Sequence, residues 1–411
     1  MPQLDLTHPI DLGSQHWSAA AVHLQGNIVK PHGRKHTVMF LFVLAQGDGL
    51  RAALRDLAAV FVTSATGQQN QRDRIESAPN SVFGNLGLSA AGYRKLGFDQ
   101  EALQKVFAHR GYTQNWFLEG MKAKGDEWGD AANQLEAFYQ KAAVDGYLLL
   151  ACADECGLLA AAAMAKQRLS GCCEVVHEER GQVLEQNGLE YEPFGFRDAI
   201  SMPSVLTTAA APPPHNAETL LFRDRLAGQS NCFGTFVVYR KLEQDVTGFD
   251  RAAQALGHVL GLTADEAAAR IVGRRKDGTA LVTDFSQDPS GRVCPLQAHI
   301  RKVNPQVSAR GGRIVVPLYR RGVPYRTDKT QGLLFLSMQQ NIATQFGLAM
   351  RDWVNDSDFP VPGTGTDSLL GRPGGVQNWN GISHDVGRHV TFRGGEFFFL
   401  PSLAFFHSLD G

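Results

Sequence analysis

The residues best suited to chemistry gather in one stretch, Cys294 to Tyr325, which reads CPLQAHIRKVNPQVSARGGRIVVPLYRRGVPY. His299 stands in a basic segment that ends at Asn304-Pro305. Arg320 and Arg321 follow a Gly311-Gly312 turn and the apolar run Ile314-Val315-Val316, and Gly322 and Pro324 close that run. The pattern predicts one imidazole and one guanidinium held on either side of a turn and a strand. A neutral imidazole binds iron, and a fixed cation on the opposite side stabilises negative charge on a departing oxygen. A lone histidine or a paired arginine means little by itself, so the surroundings decide.

A carboxylate lies upstream. Residues 188–205 read GLEYEPFGFRDAISMPSV, with Asp198 among Phe194, Phe196, Ile200 and Met202. Their alternation predicts a half-buried strand. An acid in such apolar company either caps a turn or is a functional carboxyl with a raised pKa. A further basic cluster, Gly273 to Gly278, reads as a turn after a helix; Arg274, Arg275 and Lys276 suit either water or the acid groups of a ligand. Cys152 and Cys156 lie in an Ala-rich stretch, and Cys172-Cys173 precede His177. Buried thiols explain that spacing better than a metal site.

Composition bounds the class. The 411 residues are 43% hydrophobic and 20% charged, which excludes a disordered chain and allows two or three domains. A formal net charge of -1 offers no basic excess for nucleic acid. No run approaches the ~18 apolar residues of a membrane span. The opening MPQLDLTHPIDLGSQHW lacks a basic n-region and an apolar h-region, and Leu409-Asp410-Gly411 shows no targeting tail, so a cytoplasmic protein is expected. Six cysteines are too few for a disulfide scaffold.

Strands and helices must position these side chains. Thr37–Leu44, Tyr147–Cys152, Gly234–Tyr239, Gly332–Met338 and Phe397–Leu400 are apolar runs of strand length, and Cys173–Val176 starts another strand. Ser81–Phe98 gives a strand and then a short helix capped by Ser89. Helices are expected over Gly49–Val62, Asp126–Tyr139, Gly157–Arg168, Asp245–Leu260 and Ile342–Trp353, with a Thr263–Glu266 capping box opening one that runs to Val272. The proline-rich 207–217 stretch separates residues 1–206 from 218–411 as a linker or surface loop. Residues 360–390, rich in Gly, Pro, Asn and Asp, form a long loop region of the kind that often carries function. The rhythm predicts an α+β protein of two ferredoxin-like domains, with antiparallel sheets, peripheral helices and a dimeric α/β-barrel-like arrangement.

Several segments, in order, resemble the long form of the dye-decolorizing peroxidases, a haem family. They are LQGNIVKPHGRKH (24–36), FGFRDAISMP, CPLQAHIRKVNP, YRRGVPY, GLLFL (332–336) and GGEFFFLPS (394–402). The resemblance implies one haem b per chain, bound in the C-terminal domain with His299 on the iron. It implies that Asp198 and Arg320, rather than Arg321, are catalytic. Arg274, Arg275, Arg301, Leu334, Leu336 and Glu396 are expected around the cofactor, with Glu396 as acceptor for the other ring N–H of His299. One departure stands out: the family motif ends in glycine, and Ala199 follows Asp198 here.

The implied partners are hydrogen peroxide and an organic reductant such as a dye or a phenol, with neither nucleic acid nor membrane, and a homo-oligomer is allowed. Trp353, Trp379, Tyr319 and Tyr325 are candidates for passing electrons to the surface. The alternative is a haem carrier or sensor with little turnover, which Ala199 favours and the retained trio Asp198, His299 and Arg320 disfavours.

Overall fold

The computed structural model describes residues 3–47, 49–72, 81–109, 115–141, 143–200, 202–208, 214–306, 316–372, 374 and 376–409. The Gly311-Gly312 turn, Ile314-Val315 and the middle of the proline-rich stretch lie outside them.

Strands form where the apolar runs are longest. The first half supplies β1 (His36–Leu44), β2 (Phe83–Leu88), β3 (Gly146–Cys152) and β4 (Cys173–Gln182). The second half supplies β5 (Phe233–Gln244), β6 (Tyr319–Arg320), β7 (Val323–Arg326), β8 (Gln331–Gln339) and β9 (Val390–Leu400). With Phe222–Arg223 beside β5, they form one ten-stranded antiparallel sheet in the order β7-β8-β5-β9-β2-β3-β1-β4, and β6 pairs with β8. β1 is buried on both faces, which is why it reads as a continuous apolar run. The sheet curls until its two edges meet, so that a side chain at Gly181 on β4 would strike Val323 on β7. No ladder joins those edges among the described residues, and the barrel stays open.

Helices α1 (Leu50–Phe61), α2 (Glu155–Leu169), α3 (Val246–Leu260) and α4 (Ala264–Val272) follow the expected spans within a few residues. Asp245 caps α3, and Thr263 and Glu266 close the capping box of α4. Three segments differ from expectation. The helix expected over Asp126–Tyr139 is broken into Gly125–Trp128, Ala132–Gln134 and Ala137–Lys141, because Gly129 turns the chain at φ +72°. Ile342–Trp353 is helical but wound as π-helix over Ala343–Gly347 and Ala349–Val354, where Gly347 lies directly against the Trp116 ring. Phe194–Ile200 is a turn and not a strand; Phe194 and Phe196 recur at alternate positions because both pack on Phe249 of α3.

The register sorts side chains onto two faces. Leu334, Leu336 and Met338 of β8 stand opposite Lys241, Tyr239 and Val237 of β5, on the inner face that also holds Met39, Leu41, Tyr147 and Phe398. Leu333, Phe335 and Ser337 stand opposite Leu242, Arg240 and Val238 on the outer face, and Arg320 pairs with Ser337 and therefore shares it. Tyr319 and Tyr325 fall on the inner side.

Arg321, the neighbour of Arg320, is spent on structure. It is buried, and it donates to the carbonyls of Asn27 (2.6 Å), Ile28 (2.7 Å) and Arg320 (2.8 Å), so it ties the N-terminal segment to β6. Arg321→Met leaves the two buried carbonyls of Asn27 and Ile28 unpaired and is expected to cost about 3 kcal/mol. A lowered midpoint in urea denaturation checks this, and an unchanged midpoint refutes it.

Candidate functional site

His299 opens a short helix, α5 (His299–Val303), and its side chain is 23% exposed. Its Nδ1 lies 3.0 Å from Oδ2 of Asp367, a fully buried carboxylate. Asp367 is itself held rigidly. Its Oδ1 accepts from the backbone N–H groups of Leu369 and Leu370, each at 2.8 Å, and its own N–H donates to the Val354 carbonyl. The next residue, Ser368, donates through its hydroxyl to the carbonyls of Ile271 and Gln297, which clips the loop beside His299. Burial pushes the Asp367 pKa up, but the facing imidazole and the two amides more than offset it, so the carboxyl sits below its usual range. An ionised acceptor on Nδ1 keeps a proton there and leaves the Nε2 lone pair available.

Glu396 does not take this place. It accepts from the backbone N–H of Met121 and its own neighbour Phe397, both at 2.8 Å, and burial raises its pKa. The acceptor comes instead from the 360–390 loop, through Asp367.

The turn after α4 joins His299 to the opposite wall. A side chain at Gly273 would touch Ile300 and Ala298 beside His299. Further along, the Arg197 N–H donates to the Lys276 carbonyl, and a side chain at Gly278 would collide with Ile200 and Arg197. The Asp198 loop is thereby seated on the 273–278 turn. Glu192 closes that loop by accepting from the N–H groups of Phe194 and Phe196, and the Asp198 N–H donates to the Glu190 carbonyl.

Arg320 reaches this wall from β6. Its guanidinium contacts the Met202 sulfur at 3.8 Å. Burial lowers its pKa, and the charge of Asp198 opposes the shift, which places the two groups within electrostatic reach without an ion pair. Arg274 donates to the Gly278 carbonyl at 2.5 Å, and both burial and the Arg320 charge lower its pKa. Two cations within electrostatic reach of one another suit an anionic group beside them.

The other expected contacts divide. Arg275 is exposed, and Lys276 pairs with Asp265 at 3.0 Å. Arg301 is withdrawn from the site: its guanidinium is buried against Asp288, the Cys294 carbonyl and the Phe285 ring. Leu334 and Leu336 face the inner core; their neighbours Leu333 and Phe335 share the face of Arg320. Leu242, Val303, Leu318, Phe335 and Leu370 are half-buried apolar side chains packed against the larger hydrophobic core. Trp353, Trp379, Tyr319 and Tyr325 are all core residues and none is exposed. No cysteine joins His177 in a metal cluster among the described residues; His177 meets Glu179 and Glu136 instead.

Two family models match in chain order: the DyP dimeric alpha+beta barrel domain over residues 23–184 and the Dyp-type peroxidase C-terminal domain over 217–358. The chain belongs to the dye-decolorizing peroxidase family. It is a haem peroxidase built from two ferredoxin-like α+β units, which sets aside the carrier or sensor reading. The multifunctional dye peroxidase DyP2 of Amycolatopsis sp. is 29% identical over 98% of this chain and all of that protein. The solved DyP-type peroxidase of Anabaena sp. superposes with TM-score 0.89 at 27% identity, covering both chains fully. The solved DyP2 structure gives TM-score 0.86 at 27% identity, over 98% of this chain and all of that one. The dye-decolorizing peroxidase msp1 of Mycetinis scorodonius is 27% identical over 93% of this chain and 86% of its own length.

The position at which the resemblance expects glycine is met in an unusual way. Ala199 adopts φ +57°, the left-handed conformation that glycine takes freely, and its N–H donates to Asp198 Oδ1 at 2.7 Å. The turn is thus kept, and the alanine bears the strain. Ala199→Gly is expected to stabilise the fold by about 0.5–1 kcal/mol, the left-handed penalty less the extra entropy of glycine in the unfolded chain. Thermal denaturation checks this; a lower melting temperature contradicts it.

Proposed function

We propose that this chain holds one haem b between His299 and the wall formed by Asp198, Arg320 and Arg274, and that residues 218–411 form the haem-carrying unit beside residues 1–206. The observation that carries the reading is the His299–Asp367 pair, which occupies Nδ1 and leaves the other imidazole nitrogen for a ligand, in a chain where Arg320 and Arg274 lie within electrostatic reach of one another. The residues fit the group: an imidazole donor with a buried ionised partner for iron, apolar edges for a macrocycle, and Arg274 for an acidic substituent. Haem, when bound, supplies the redox-active iron at which peroxide is reduced.

The chain's own residues then have distinct tasks. His299 ligates through Nε2, and Asp367 keeps the proton on Nδ1 and makes the imidazole more basic. Asp198 takes the proton from one peroxide oxygen and returns it to the other, so that water can leave. Arg320 stabilises the negative charge that builds on the departing oxygen. Phe335 and Leu333 keep the face apolar and limit water around the reacting atoms. The reducing partner is an organic one-electron donor, in keeping with a related dye-decolorizing peroxidase solved in complex with 2,6-dimethoxyphenol. The sparse cysteines favour a cytoplasmic setting.

His299→Ala is expected to abolish haem retention, read as loss of the Soret band in purified protein; a full haem complement in this variant overturns the ligand assignment. Arg320→Leu is expected to retain haem and to react with hydrogen peroxide about 10²–10³-fold more slowly in stopped flow. A rate equal to wild type removes its role.

A further inference from the structure

Two adjacent thiols have no part in the site described above. Cys172 ends the turn after α2, and Cys173 opens β4. Side chains of consecutive strand residues point to opposite faces. Because Cys172 is still in the turn, both thiols enter the same apolar core instead. Their sulfurs are 3.3 Å apart, and both thiols are free. The backbone fixes this approach. The Cys172 N–H donates to the Leu169 carbonyl at 2.9 Å, and the Cys172 carbonyl accepts from the Ala45 N–H at 2.9 Å. Cys173 pairs with Leu44 in the ladder between β1 and β4.

The pair differs from other buried thiols of the chain. Burial raises the pKa of Cys232 and pushes that of Cys294 up to about 11, which makes both poor nucleophiles. Between Cys172 and Cys173, the hydrogen bond of the two sulfurs lowers the pKa of the first and raises that of the second. Burial and the charge of Asp145 add to the rise at Cys173. Asp145 is fully buried; it accepts from the Leu44 N–H at 2.8 Å and pairs with the Lys95 ammonium at 2.6 Å. A carboxylate is thus held beside the ladder partner of Cys173, where it keeps that thiol protonated. One thiol is set to attack and the other to keep its proton. The pair is also close to solvent: its chain neighbours Ser170, Gly171 and Glu174 are exposed.

We propose that Cys172 and Cys173 form a peroxide-reactive dithiol, which hydrogen peroxide oxidises to a disulfide between the two neighbours. The inference goes beyond the haem reading and does not rest on it. The Cys172 thiolate attacks one peroxide oxygen, the O–O bond breaks, and Cys172 becomes a sulfenic acid. The departing hydroxide takes up the proton that Cys172 had lost and leaves as water. The Cys173 sulfur then attacks the Cys172 sulfur, and the S–O bond breaks. That hydroxide carries off the Cys173 proton as a second water. The two thiols supply the two electrons, and one peroxide becomes two waters. Cα atoms of neighbouring residues lie ~3.8 Å apart, short of the roughly 4.4–6.8 Å of ordinary disulfides. The bond is therefore strained and is readily reversed by an external dithiol, which suits a reporter of excess peroxide and not a structural staple.

The test is alkylation mapping of the haem-loaded protein. The protein is exposed to excess hydrogen peroxide for increasing times, denatured in iodoacetamide, digested and analysed by mass spectrometry. The expected product is a peptide with Cys172 and Cys173 unalkylated, lighter by two hydrogens and restored by dithiothreitol. It is expected to form about 10-fold faster than Cys152, Cys232 or Cys294 is modified, as a sulfur richer in thiolate should. In Cys173→Ser the reaction is expected to stop at the sulfenic acid, trapped by dimedone on Cys172. In Cys172→Ser no adduct is expected on Cys173. Both thiols still alkylated after peroxide in wild type, or a pair oxidised no faster than the other buried thiols, overturns the proposal. An adduct on Cys173 and none on Cys172 overturns it as well. Should a serine variant not fold, the wild-type time course alone decides.

Discussion

The bond between His299 and Asp367 is the constraint on which the site depends. A carboxylate is buried here only because an imidazole and two backbone amides meet it. That geometry fixes the ring and sets its tautomer, which leaves the lone pair of the second nitrogen available. It also explains the long loop after the π-helix: the loop is ordered because it delivers Asp367, and Ser368 clips it to the His299 segment. Without the loop, His299 would be one more half-exposed histidine.

The curled sheet makes the second contribution by separating two sets of side chains with one layer of strands. Its outer face, with Leu333, Phe335 and Arg320, borders the proposed haem. Its inner face holds an aromatic and charged core around Tyr239, Lys241 and Glu179. Adjacent arginines illustrate the division of labour: Arg321 is locked onto the carbonyls of Asn27 and Ile28, while Arg320 keeps its guanidinium turned to the site. A paired arginine therefore carries one anchoring role and, on the proposed reading, one of chemistry.

Much of the fold was legible in the chain, for identifiable reasons. Asp198, His299 and Arg320 stand in segments with strong local character, and the runs that became β1, β3, β5 and β8 are apolar enough to declare themselves. Asp367 was hidden because it lies 68 residues from its partner in a loop without periodicity. The side of β8 that faces the site was misread because GLLFL is apolar at every position and shows no alternation; only pairing with β5 sets its parity. Arg301 is expected around the cofactor on the resemblance, yet Asp288 and the Cys294 carbonyl claim it. Ala199 suggested a damaged turn, and the backbone accepted the left-handed angle instead.

The most direct test of the central claim is the low-frequency resonance Raman spectrum of the ferrous haem protein, recorded for wild type and for Asp367→Asn. An iron–imidazole stretching band that moves to lower frequency in the variant is the expected result, because the amide no longer supports a basic imidazole. A wild-type spectrum without that band, or a band that Asp367→Asn leaves unmoved, contradicts the account.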